Sequence, residues 1–89
     1  MSVHRILVRT IRLPTGDEVD IKYWADGSRI YVAGFDRAGN MVTAATYSAE
    51  SDIADDFYAR LRDELIANLA RLVESDLLAN PDLHYRKTR

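Results

Sequence analysis

Cysteine is absent from this 89-residue chain, which removes disulfides, thiolate metal sites and a cysteine nucleophile together. A small domain without disulfides fits a reducing compartment. Histidine is almost as scarce: only His4 and His84 occur, and neither stands in a motif. Serine appears only at Ser2, Ser28, Ser48, Ser51 and Ser75, and neither histidine stands in a recognisable motif with one, so a hydrolase triad is not expected. No apolar run approaches the ~20 residues that cross a bilayer. Arg5, Arg9 and Arg12 interrupt the first apolar residues, so no signal peptide is expected. These absences lead to the expectation of a cytoplasmic protein with no membrane segment, no cofactor and no metal. Proline and glycine are few, two and four, and 47% of residues are hydrophobic, which argues for a folded chain.

Charge is nearly balanced at −2 but unevenly laid out. Residues 1–47 hold six basic and five acidic side chains, residues 48–80 three and eight, and residues 81–89 three and one. Such totals create no whole-molecule field to attract nucleic acid.

The first half alternates like a meander of short strands. Strands are expected at about Val3–Leu13, Glu18–Ala25, Arg29–Phe35 and Met41–Tyr47. Pro14-Thr15-Gly16, Asp26-Gly27 and Asp36-Arg37-Ala38-Gly39-Asn40 supply the turns, with Gly39 in the left-handed position. An Asp26-Gly27 hairpin sets Trp24 opposite Arg29, Tyr23 opposite Ile30 and Lys22 opposite Tyr31. Ile21, Tyr23, Ile30 and Val32 then share the core face. A four-residue loop at Pro14–Asp17 adds Ile6, Val8 and Thr10 to that face and puts Arg5, Leu7, Arg9 and Ile11 on the other.

A helix is expected from about Ser51 to Ala79, opened by acidic residues that suit its positive end and stopped by Asn80-Pro81. Ile53, Phe57, Leu61, Leu65, Leu69 and Val73 step by four, and a second stripe runs through Tyr58, Ile66, Leu72 and Leu77. The fold class is therefore α+β: a four-stranded antiparallel β-meander followed by one long C-terminal helix. Residues 1–80 form one domain and 81–89 a basic tail.

A helix of that span is ~43 Å long, against ~23 Å for a seven-residue strand. One unbroken helix therefore overhangs its sheet, and the overhang is still apolar at Leu69, Leu72, Val73, Leu77 and Leu78. Either the helix kinks near Asn68 or Glu74-Ser75, or Leu65, Leu69, Leu72, Val73 and Leu77 meet a second chain. That surplus points to a homodimer through the helices.

Asp52, Asp55 and Asp56 share a helix face, but carboxylates belong at a helix N-terminus and no metal site is assigned. Ile30-Tyr31-Val32-Ala33-Gly34-Phe35 has the form of the shorter RNA-recognition signature, yet a turn follows it and the companion signature is missing. The sheet face away from the core carries the strongest functional pattern: Arg5, Arg9, Lys22 and Arg29 interleaved with Trp24 and Tyr31, ending at Phe35. Cations beside aromatics suit a protein interface, or bases and phosphates, or simply an internal cation–π pair.

Three readings follow. The first is a small non-enzymatic interaction or regulatory module acting as a homodimer on an unidentified protein partner. The second is a nucleic-acid-binding protein using the basic aromatic face and the tail. The third, an enzyme completed only between subunits, has no nameable acid–base pair.

Overall fold

The computed structural model describes residues 4–26, 29–43, 48–50 and 59–83. It is an α+β fold in two layers: one open antiparallel sheet with a C-terminal helix on one face. Three strands carry the sheet: β1 (Ile6–Arg12), β2 (Glu18–Asp26) and β3 (Arg29–Phe35). The fourth strand expected at 41–47 is not seen among the described residues. Met41 makes a single bridge to Phe35, residues 44–47 lie outside the described residues, and a three-residue segment β4 (Ser48–Glu50) pairs with Tyr31, Ile30 and Arg29.

Both described turns share one geometry. Gly16 N–H donates to Leu13 C=O at 2.9 Å, and Leu13 N–H donates to Asp17 C=O at 2.8 Å. Gly39 N–H donates to Asp36 C=O at 3.0 Å, and Asp36 N–H donates to Asn40 C=O at 2.9 Å. Gly16 and Gly39 have φ of 94° and 89°, the left-handed residue that closes a three-residue hairpin loop. The buried Asp36 carboxylate accepts from the N–H groups of Ala38 and Asn40, so its side chain holds the second turn.

The three-residue loop at Pro14–Gly16 corrects the expected four-residue loop, and a slip of one residue exchanges faces. Ile11 pairs with Val19 and Arg9 with Ile21, so Ile11 and Arg9 lie on the helix side, while Thr10 faces outward opposite Asp20. The ladder then skips Val8, an inserted residue that resets the parity. Leu7 pairs with Lys22 and Ile6 with Tyr23, on the faces expected for them.

The β2–β3 register also differs, by two residues. Asp26 pairs with Arg29, Ala25 with Ile30, Trp24 with Tyr31 and Tyr23 with Val32. The two residues between the last pair are Gly27-Ser28, itself a two-residue hairpin sequence. A slip of two keeps every side chain on its face, so the core positions survive while Trp24 meets Tyr31 in place of Arg29.

Helix α1 (Ala59–Ala79) packs over β2 and β3. Residues 51–58, where it was expected to begin, lie outside the described residues. Its C-terminal half covers the sheet: Ile66, Leu69, Ala70, Val73 and Leu77 are buried with Val19, Ile21, Ile30 and Val32. The expected overhang of Leu69, Val73 and Leu77 is therefore corrected, and Leu65 packs half-buried against the same core. The reason lies at Gly34, where the missing side chain admits Leu77 to the sheet. Leu72 stays exposed at 52%.

Gly34 lets the helix come this close. A Cβ there would stand 3.0 Å from Val19 Cγ1 and 3.2 Å from Leu77 Cδ1. Gly34 N–H donates to the buried Thr43 hydroxyl oxygen at 2.7 Å, and Gly34 C=O accepts from Val42 N–H. Both backbone groups are thus satisfied where the regular ladder stops. Asn80 N–H reaches back to Asp76 C=O and Pro81 ends the helix. Leu83, expected in the tail, is buried in the core at 6% exposure, and residues 84–89 lie outside the described residues.

Two substitutions on one helix check this packing. Leu77→Ala is expected to cost about 2–5 kcal/mol and Leu72→Ala less than about 0.5 kcal/mol, measured by urea unfolding. Gly34→Ala is expected to cost about 1–3 kcal/mol alone. It should cost less in a Leu77→Ala background, because the two changes share one contact. Additive costs would mean that the helix does not press on Gly34.

Candidate interaction surfaces

On the outer face, cross-strand pairing of Trp24 with Tyr31 brings three aromatics together. The Trp24 and Tyr31 rings stack at 5.6 Å with planes 13° apart, and Phe35 meets Trp24 edge-on at 6.1 Å. Trp24 is only 8% exposed and Phe35 2%, and with Ala33 they form a second small apolar cluster behind the sheet. Two cations lie on these rings. The Arg5 guanidinium sits 5.1 Å from the Trp24 ring centre and 5.0 Å from that of Phe35, and Lys22 Nζ is 5.4 Å from Phe35. Each such contact is worth ~0.5–1 kcal/mol at an exposed site. Neither Arg5 nor Lys22 has a carboxylate partner among the described residues.

Of the six outer-face residues expected to act together, the structure joins Arg5, Lys22, Trp24 and Tyr31. Arg29 lies on the same face, two residues from Tyr31 at the hairpin end of the ladder, opposite Asp26. Arg9 does not belong to this face. The slip in β1 turns it to the helix side, where it pairs with Glu74. Outward-facing Thr10 takes its place in the pattern and donates to Asp20 at 2.7 Å. Arg37 reaches Asp20 and Glu18 at 3.4 and 3.8 Å, and Arg12 reaches Glu18 at 3.7 Å, so one end of the outer face is internally neutralised.

A second surface was not legible in the sequence. Arg9, Arg71, Glu74, Ser75 and Leu78 line an open groove of about 380 Å³ between the edge of β1 and the helix. Arg71 donates to Asn68 Oδ1 at 2.9 Å. The groove exists because Arg9 is on the helix side, which only the length of the first turn decides.

Among the described residues, no three His, Cys, Asp or Glu side chains are grouped to hold a metal ion, and Asp52, Asp55 and Asp56 lie outside them. No helix among the described residues is long and apolar enough to cross a membrane. No protein-family model, no curated protein and no solved structure matches the chain.

Trp24 is the single tryptophan of the chain and reports directly on this cluster. Arg5→Ala removes two such contacts and is expected to leave the fold intact at a cost of ~1–2 kcal/mol. It should also shift Trp24 emission to the red and increase its quenching by acrylamide. Unchanged emission would mean that Arg5 does not cover the ring.

Proposed function

We propose that this chain is a small non-enzymatic interaction module that binds an acidic partner protein. The observation that carries the reading is the pair Arg5 and Lys22. Both are held over aromatic rings on the outer face, and neither is offset by a carboxylate among the described residues. The rings attract the guanidinium without neutralising its charge, so its N–H donors remain available to an incoming carboxylate. The side-chain entropy of ordering Arg5 is partly spent before the partner arrives, which favours binding.

The same rings weigh against nucleic acid as the partner. Stacking on bases needs open aromatic faces, and Trp24 and Phe35 are buried against their neighbours and against Arg5. A second copy of the chain is less supported than the sequence suggested, because Leu69, Val73 and Leu77 are spent on the chain's own core.

The experiment is a titration of the purified chain with fluorescein-labelled octaglutamate and with a labelled thymidine octanucleotide, read by anisotropy and by Trp24 emission. The glutamate peptide is expected to bind more tightly. Arg5→Ala and Lys22→Ala should each weaken it about five- to thirtyfold, the loss of one charge-assisted contact. Tighter binding of the oligonucleotide, or no binding of the peptide at low salt, would sink the reading.

A further inference from the structure

We infer that the acidic partner enters as an extended segment, added as a new strand along β1 with alternate side chains in the groove beside it. This rests on the acidic-partner reading above and specifies how the partner is held. The sheet order β1-β2-β3-β4 leaves β1 at an edge, with no described strand on its other side. The outward backbone groups of Ile6–Arg12 are therefore a row of donors and acceptors open to a second backbone. Ile6 and Leu7, at 41% and 55% exposure, are among the most exposed large apolar side chains described, and both lie on this edge strand.

The groove lies where an added strand would need room. Side chains of a strand alternate between the two faces of a sheet. On the helix side every second one would meet Arg9, Arg71, Ser75 and Leu78; the others would stand beside Leu7 and Arg5 on the outer face. The charge of this edge selects among occupants. Residues 4–12 carry Arg5, Arg9 and Arg12 and no acidic residue, and the groove holds two guanidiniums to one carboxylate. A second copy of β1 would bring three more arginines and no carboxylate to this edge, which is unfavourable. An acidic strand is complemented at each of these positions. The Arg9–Glu74 and Arg12–Glu18 pairs are partly exposed, so exchanging Glu74 or Glu18 for a partner's carboxylate costs about 1 kcal/mol or less. The extra residue Val8 and the arginines are devices that guard an edge against its own kind, and they leave it open to a strand of opposite charge.

The test uses the full chain and three eight-residue peptides. One alternates glutamate with valine, one has the same side chains with alternate backbone nitrogens methylated, and one replaces glutamate by lysine. Binding is read by anisotropy and backbone protection by amide hydrogen exchange resolved to single residues. The glutamate peptide is expected to bind and to slow exchange of β1 amides about tenfold or more. Methylation and the lysine exchange should each cost about tenfold or more in affinity, and Arg71→Ala about three- to tenfold. Equal affinity of the methylated peptide, or protection elsewhere without protection of β1, would overturn strand addition while leaving the acidic partner standing. No binding of the glutamate peptide would overturn both.

Discussion

The contact between Leu77 and the bare backbone of Gly34 sets the position of everything else. Helix and sheet meet closely only where one side chain is missing, and Gly34 provides that gap between Val19 and Thr43. With Leu77 seated there, heptad-like spacing carries Val73, Ala70, Leu69 and Ile66 onto β2 and β3. The charged first turns are left at the far end. This placement turns an apolar stripe that looked like a dimer seam into an internal core. It also carries Glu74 to the side of β1, where Arg9 meets it.

Edge strand β1 is shaped by two small irregularities that offset each other. A three-residue loop at Pro14–Gly16 puts Arg9 and Ile11 on the helix side, and the extra residue Val8 returns Ile6 and Leu7 to the faces that simple alternation gives them. One strand therefore presents Arg9 to the groove and Leu7 to the outer face, with Arg5 just ahead of it on the rings. A regular strand would have placed all three on one side. Basic charge is thus distributed around the edge rather than spread over a flat face.

The outer face also shows why an aromatic pattern is an ambiguous guide to binding. In the sequence Trp24, Tyr31 and Phe35 alternate with cations, a pattern equally at home in a contact surface and in an internal cation–π cluster. Register places Trp24 on Tyr31, and Phe35 closes against it, so the rings spend their faces on each other. What remains for a partner is the cations lying on them. The aromatic residues act as a seat that holds Arg5 and Lys22 without neutralising them.

The sequence by itself determined the α+β class, three antiparallel strands, the turn at 36–40 with its left-handed Gly39, the stop at Asn80-Pro81 and most of the core of β2 and β3. Those features follow from local chemistry: period-two alternation, the φ demanded at a turn, and the missing N–H of proline. It did not determine parity in β1, because loops of three and four residues are equally compatible with Pro-Thr-Gly and exchange every face. Nor did it determine which half of the helix covers the sheet. Apolar spacing looks the same whether its partner is the same chain or another, and only the close approach at Gly34 decides it. The groove beside β1 depends on both of those tertiary choices, so no local pattern in the sequence announced it.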